Sequence, residues 1–274
     1  MTASLNVPNH AQEVSSGERF AFGDNWMQFL KLLNEQRISE AKDSLKEMLE
    51  VDDLKGKTFL DIGSGSGLFS LAARLLGARV VSFDYDPQSV ACTRELKRRF
   101  FEKDDDWQVQ SGSVLDLEYL TSLGKFDVVY SWGVLHHTGE MWRALSNVDV
   151  NVAEHGKLFI ALYNYQPFAS KYWTVVKRTY NKYPLSRPLF LFVHGIYPTV
   201  PRVLVRLIKK RGYARGMNVL RDLYDWLGGY PFEVSTPDEV FEFFQRKGYL
   251  LRKIKTAGGR SGCYELVFQR GHAE

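Results

Sequence analysis

The stretch Phe59-Leu60-Asp61-Ile62-Gly63-Ser64-Gly65-Ser66-Gly67-Leu68-Phe69 constrains this chain more than any other. A short apolar run ends in three glycines at alternate positions. An amphipathic helical pattern (Leu68, Leu71, Ala72, Leu75, Leu76) begins directly after them. Glycine lets a turn take positive φ and lets a ligand lie against the backbone, and a helix start presents free N–H groups. A strand, a glycine loop and a helix in this order make a nucleotide cradle. The dinucleotide fingerprint G-x-G-x-x-G would carry its third glycine at the sixth position, where this chain has Leu68. Asp61, two residues before the first glycine, would repel a diphosphate.

Strand and helix patterns then alternate, which implies right-handed βαβ units and a parallel sheet. Residues 58–62, 79–84, 107–110, 126–130 and 156–163 read as strands. Helices are expected at 68–76, at 88–101 behind Pro87, and at 141–152. The alternation stops through residues 164–230. It resumes with a helix at 237–247 and two strands, 249–256 and 263–270, which read as a hairpin.

Upstream, Ile38, Ala41, Leu45, Met48 and Leu49 mark a helix, and Met27, Leu30 and Leu33 a shorter one. Phe20, Phe22 and Trp26 precede that run; they read as cover for a sheet edge or as an aromatic lid over a cofactor.

The 274 residues suit one large domain, or one domain with an insertion, and a hydrophobic share of 45% supports a sizeable core. The first eleven residues lack the basic flank and apolar stretch of a leader, so none is expected. No run approaches the roughly 18 apolar residues of a membrane span. Two cysteines, Cys92 and Cys263, fit a reduced, cytoplasmic protein, and no Cys/His cluster has zinc spacing. The net charge of +4 conceals an asymmetry. Residues 165–230 hold 12 Lys/Arg against Asp222 and Asp225, a net of +10, so the remainder carries −6.

Ligands of open α/β sheets lie outside the carboxyl ends of the strands. Asp61, Asp84, Ser113 and Ser131 fall at or just beyond such ends. A carboxylate at Asp84 can accept both ribose hydroxyls, Tyr85 can stack on an adenine, and Ser113 with the Val114 backbone would flank its edge. Asp86 is the better candidate for capping the helix behind Pro87.

The acidic residue two positions before G-x-G-x-G, together with Ser131-Trp132-Gly133-Val134-Leu135-His136-His137-Thr138 and the terminal hairpin, resembles class I S-adenosylmethionine (SAM)-dependent methyltransferases. It looks like the ubiquinone-biosynthesis O-methyltransferases and the wide group of small-molecule class I enzymes around them, over roughly residues 57–163 and more loosely the final hairpin. It implies a Rossmann-like α/β three-layer sandwich. The sheet is expected to have seven strands, mostly parallel with an antiparallel final strand, flanked by N-terminal helices and a helical insertion after strand five. It implies SAM held by Asp61, Gly63, Ser64, Gly65, Gly67, Asp84, Tyr85, Ser113, Val114 and Ser131, and a small-molecule acceptor methylated at oxygen. A SAM-binding protein without turnover is the competing class.

Methyl transfer from a sulfonium is an in-line displacement, so alignment supplies much of the acceleration, and an acceptor hydroxyl also needs a base. His137 or His136 can serve, although consecutive histidines at a helix start ordinarily pack inward. No grouped carboxylates suggest a metal, so metal-independent chemistry is expected.

The expected domains are an N-terminal cap (1–50), a SAM-binding core (51–164), a basic-aromatic insertion forming an acceptor lid (165–230) and a closing helix and hairpin (231–274). Basic residues interleaved with Tyr172, Trp173, Tyr180, Tyr183, Phe190, Phe192, Tyr197 and Tyr213 fit a solvated lid, a pocket for an anionic acceptor, or a peripheral membrane contact through residues 185–211. The acidic frame and the lack of a readable RNA-binding module argue against nucleic acid. Acceptor contacts are expected from Phe20, Trp26, Tyr163, Asn164, Trp226, Tyr230 and Glu233, with Asp225 as a further polar candidate.

Overall fold

The computed structural model describes residues 10–23, 26, 29, 30, 32–194, 219–258 and 262–271. Their order is α1 (His10–Ser15), α2 (Glu35–Leu49), β1 (Thr58–Ile62), α3 (Leu68–Leu75), β2 (Arg79–Asp84), α4 (Pro87–Phe101), β3 (Trp107–Ser111), α5 (Leu117–Leu123) and β4 (Phe126–Trp132). After them come α6 (Met141–Asn147), β5 (Val152–Tyr163), α7 (Pro167–Lys182), α8 (Val219–Gly228), α9 (Pro237–Gln245), β6 (Tyr249–Lys255) and β7 (Cys263–Arg270).

Local chemistry sets several of these boundaries. Asn34 and Asp116 accept amide N–H groups at the starts of α2 and α5. Asp86 caps α4, whose first residue is Pro87. Thr236 and Glu239 form a reciprocal capping box ahead of α9.

The chain separates into two compact units, residues 23–170 with 233–274 and residues 1–22 with 171–232. The first contains a seven-stranded sheet in the order β3-β2-β1-β4-β5-β7-β6. Only β7 runs against the others, pairing antiparallel with β5 and with β6. Alternate β1 residues face opposite layers. Leu60 and Ile62 pack with Ala144 and Leu145 of α6 and Val240 and Phe244 of α9. Phe59 packs with Leu45 and Leu49 of α2, Leu71 and Ala72 of α3 and Leu96 of α4. This is the expected three-layer sandwich with its antiparallel final strand. At the amino end of the sheet, the Thr58 amide and hydroxyl both donate to Asp127 Oδ2 at 2.9 Å, tying β1 to β4.

The expected helix at 141–152 ends early. α6 stops at Asn147, residues 148–151 tighten into a 3₁₀ turn, and Val152 joins the sheet opposite Phe126. Val148 and Asn151, three residues apart, are both fully buried, the spacing of a 3₁₀ turn rather than of a continuing α-helix. The Asn151 amide fixes the turn by donating to the Leu120 and Gly124 carbonyls.

The second unit also revises an expectation. Residues 10–22 belong with 171–232 rather than with a separate N-terminal cap. The Phe20 amide donates to the Tyr230 carbonyl at 2.9 Å, and the Phe20 ring fills the space a side chain at Gly228 would need. Val176, Tyr180, Leu223 and Leu227 form the small core. Lys177 is fully buried; its Nζ donates to the Trp226 carbonyl and lies 4.4 Å from the centre of the Trp226 ring and 4.9 Å from that of Phe232. Residues 195–211 of the expected membrane segment, together with Tyr197 and Tyr213, lie outside the described residues. So do the side chain of Asp225 and part of the 27–33 run.

Candidate active site

Every residue of the cradle comes from the carboxyl end of the parallel strands. Gly63, Gly65 and Gly67 all have positive φ, at 75°, 53° and 78°. None of the three has room for a side chain; a Cβ on Gly67 would lie 3.0 Å from the Thr93 backbone. A Cβ on Gly63 would collide with Val134, and one on Gly65 would lie 3.1 Å from the Trp26 indole. The loop after β4 is therefore pressed against the glycine loop, and Trp26 covers it. Ser64 anchors the loop from beneath, its Oγ 3.0 Å from Thr93 Oγ1 on α4.

The two expected carboxylates stand beside this loop. Asp84 Oδ2 accepts the Gly65 amide at 2.9 Å and Oδ1 the Asp86 amide at 2.9 Å. Burial pushes the Asp84 carboxyl up to about 6, against the opposing pull of those amides. Asp61 is raised further, to about 7, chiefly by burial; the Ser70 hydrogen bond opposes the shift and the charge of Asp84 adds to it. Beneath Asp61 runs a buried polar chain. Ser70 Oγ donates to Asp61 Oδ2 at 2.5 Å and lies 2.7 Å from Ser82 Oγ, which accepts from Trp107 Nε1 at 2.9 Å. Sequence reasoning missed Ser70, Ser82, Trp107 and Thr93. The available signal was a hydroxyl inside an otherwise apolar helix or strand stripe.

Ser113, Val114 and Ser131 are placed differently from one another. Ser113 Oγ accepts the Leu115 amide at 3.2 Å, and the Val114 carbonyl accepts from Asn147 at 3.0 Å, so both shape the turn after β3. Ser131 is fully buried and its hydroxyl donates to the Ile62 carbonyl at 3.0 Å, locking β4 to the end of β1. Tyr85 follows β2 and is partly buried.

Beyond Val134 the chain forms a 3₁₀ turn, Leu135–His137, that carries both histidines. The Tyr163 amide at the end of β5 donates to His136 Nδ1 at 3.3 Å, and the Tyr163 ring lies 4.0 Å from the His136 ring, centre to centre. An accepting Nδ1 places the imidazole proton on Nε2. His136 therefore stands as the neutral Nε2–H tautomer, with its basic lone pair already used. The His137 ring lies 4.4 Å from that of His136 and is 8% exposed, whereas His136 is fully buried.

Of the expected acceptor contacts, Trp26, Tyr163, Asn164 and Glu233 belong to the sheet unit. Asn164 bridges to Ser235. The Glu233 carboxylate accepts the Met141 amide at the start of α6, at 3.0 and 3.1 Å, and burial raises its pKa. Phe20, Trp226 and Tyr230 belong to the other unit, where Trp226 packs edge-on against Trp173 at 5.1 Å.

A cradle with two buried carboxylates is a poor host for phosphates. It fits a ligand that brings cationic groups and a ribose with free hydroxyls, as SAM does. Residues 33–214 match the family described as "Methyltransferase domain". The chain belongs to this methyltransferase family. It is an enzyme of the class I SAM-dependent fold, and SAM is its cofactor.

This methyltransferase superposes on the magnesium protoporphyrin IX methyltransferase of Synechocystis, solved with bound S-adenosylhomocysteine (SAH), with a TM-score of 0.51 at 13% identity. That likeness covers 97% of this chain and 90% of the other. With a putative methyltransferase of Haloferax volcanii, solved in complex with the Trm112 activator, the TM-score is 0.54 at 14% identity, covering 93% and 97%. At such identities the likeness is one of fold. In sequence, 54 residues are 46% identical to the ribosomal protein L11 methyltransferase of Tolumonas auensis, covering 19% of this chain and 18% of that protein. The Prochlorococcus marinus enzyme of the same name is 40% identical over 84 residues, covering 30% and 28%. The chain thus spans well under a third of the length of these relatives.

Proposed function

We propose that this methyltransferase moves the methyl group of SAM to an oxygen of a small-molecule acceptor, with His137 as the base. The observation that carries this reading is the Tyr163 amide on His136 Nδ1. It removes one histidine of the pair from proton transfer and leaves its neighbour as the base candidate. The contact of Val134 with Gly63 keeps this turn close to the cofactor loop. The likeness of residues 131–138 to the ubiquinone-biosynthesis O-methyltransferases supports oxygen as the atom methylated.

SAM, when bound, supplies an electrophilic methyl on a sulfonium. The chain's own residues do the rest. Asp61 takes the amino group and Asp84 the ribose hydroxyls, which orients the ligand along the loop. Ser131, Ser64 and Thr93 hold the loop rigid, so alignment is set before the acceptor arrives. His137 accepts the hydroxyl proton as the oxygen attacks. A screen of phenolic and aliphatic hydroxyl acceptors, read by SAH release, tests the reading. Turnover that is equal in wild type and His137→Asn would exclude the base assignment.

A second reading concerns where the acceptor is met. Tyr172, Val175, Tyr183, Leu185, Leu189 and Phe192 are all exposed, Leu185 by 98%. Exposed Lys171, Arg178, Lys182 and Arg187 run alongside them. Apolar side chains flanked by cations suit the surface of an anionic bilayer; no described helix is long and apolar enough to cross one. Co-sedimentation with phosphatidylcholine vesicles, with and without phosphatidylserine, should show binding only to the anionic set. Equal absence from both would end this reading.

A further inference from the structure

The turn that carries His137 is gripped at two points by one distant residue. The peptide bond between His136 and His137 is fixed on both sides. Its N–H donates to the Val134 carbonyl at 2.8 Å, and its carbonyl accepts the Glu233 amide at 3.0 Å. A planar peptide held from both sides leaves the Cα that follows it little freedom. Four residues beyond His137 the same glutamate takes hold again. Both oxygens of its carboxylate accept the Met141 amide, at 3.0 and 3.1 Å. Burial raises the Glu233 pKa, and the Met141 and Gly139 amides oppose the rise, so both amides face the carboxylate. Glu233 thus brackets His137, with its main chain before the histidine and its side chain after it.

A cap for α6 did not require this residue. Helices α2, α4, α5 and α9 are capped by the side chains of their own N-cap residues, Asn34, Asp86, Asp116 and Thr236. At α6 the N-cap position is Glu140, whose side chain makes no capping bond and pairs with Arg143 instead. A serine or aspartate at that position would cap α6 without burying a carboxylate. A carboxylate from 92 residues away does what a local cap does not. It ties the turn to residues 233–235, and these are bonded to the end of β5. The Ser235 amide donates to the Tyr163 carbonyl at 3.1 Å, and the Tyr165 amide donates to the Ser235 carbonyl at 3.0 Å. Tyr163 in turn donates its amide to His136 Nδ1, and its ring stands 5.4 Å from the His137 ring, edge to face. The circuit closes: turn, Glu233, Ser235, Tyr163 and the turn again, all within the sheet unit.

We propose that Glu233 is a positioning residue that holds the His137 imidazole against Tyr163, in the place from which it takes the acceptor proton. This rests on His137 as the base. Glu233 moves no proton itself.

The first test needs no turnover. In the full chain with SAH, the ring protons of His137 and Tyr163 should share a nuclear Overhauser cross-peak, assigned by its absence in His137→Asn. It should persist in Glu233→Gln, whose amide oxygen still accepts from Met141. It should be lost in Glu233→Ala and in Glu233→Asp, which keeps the charge but withdraws it by one methylene. The aspartate variant serves alone should the alanine variant not fold. A cross-peak of wild-type strength in either overturns the proposal.

The second test reads methylation of 4-methylphenol and benzyl alcohol, a phenolic and an aliphatic hydroxyl. Glu233→Asp should lower kcat at least about tenfold, the scale of a small misplacement of a catalytic group. The KM for the acceptor and the affinity for SAH should stay within about twofold, and Glu233→Gln should restore most of kcat. In a His137→Asn background, Glu233→Asp should cost little more. An equal fall in both backgrounds overturns the proposal, because Glu233 would then act through another group. Should His137→Asn turn over as wild type does, or neither probe be methylated, the base or oxygen reading fails by itself. The cross-peak alone then decides whether Glu233 holds the ring.

Discussion

Asp61 ties cofactor affinity to pH, and its surroundings set the size of the effect. Its carboxyl is raised to about 7 by burial, with Asp84 nearby adding to the shift. If Asp61 must be ionised to take the amino group of the cofactor, the apparent dissociation constant scales with the inverse of its ionised fraction. For a group titrating near 7, that fraction is about 0.9 at pH 8, half at pH 7 and about 0.1 at pH 6. Affinity should therefore weaken about twofold from pH 8 to 7, about tenfold from pH 8 to 6, and approach tenfold per unit below that. Below pH 6 it should fall more steeply as Asp84, raised to about 6, joins the titration. The two steps belong to the interacting pair. Calorimetry with SAH, which keeps the amino and ribose groups and transfers no methyl, measures this directly. Repeating it at pH 6 in buffers of different ionisation enthalpy should count close to one proton released per ligand. Asp61→Asn should remove the step near 7 and leave the lower one. A dissociation constant constant within twofold between pH 5.5 and 8, or no proton release, would refute the reasoning. The same shift predicts the opposite trend for the empty protein. Between the unfolded carboxyl value near 3.8 and the folded value near 7, the native state holds more protons, so stability falls as pH rises through that window.

Three further outcomes follow from individual contacts. Ser70→Ala removes the hydrogen bond that holds the Asp61 pKa down, so the affinity profile should move to higher pH; a profile that does not move, or moves lower, excludes that role for the serine. Gly65→Ala places a side chain at φ +53° and 3.1 Å from Trp26, so it should destabilise the loop by about 1–2 kcal/mol and weaken SAH at least about tenfold, read by thermal shift and calorimetry. Glu233→Ala strips the acceptor from the Met141 amide and should cost about 1 kcal/mol in denaturant unfolding; unchanged stability would show that the carboxylate does not cap α6.

Much of the fold was legible because it rests on local rules. Short apolar runs alternating with helical patterns located every strand of the sheet, and Asp86-Pro87 marked a helix start that the structure repeats; the Thr236–Glu239 capping box was not read from the sequence. The end of α6 was misread because Val148 and Val152 stand four residues apart, a spacing a continuing helix would also bury, and the pairing of Val152 with Phe126 decides against it. In the site, Asp61 and Asp84 stand at strand ends beside the glycine loop as their positions in the alternation imply. Ser131 was expected at the cofactor, yet its hydroxyl is spent on Ile62. Sequence position places a side chain at a strand end but does not say which of its neighbours takes the hydrogen bond.

The sequence by itself determined the cradle: three glycines, a carboxylate before them and another after β2 can be read without coordinates, since each acts within a few residues of its own strand. Only the tertiary structure decided that the His136 Nδ1 lone pair is taken, because the amide that occupies it comes from Tyr163, 27 residues away. It alone set the Glu233 carboxylate on the Met141 amide, 92 residues away in the chain, where no local capping rule points to it. And it alone joined Phe20 to Tyr230, a contact between distant segments that no periodicity encodes.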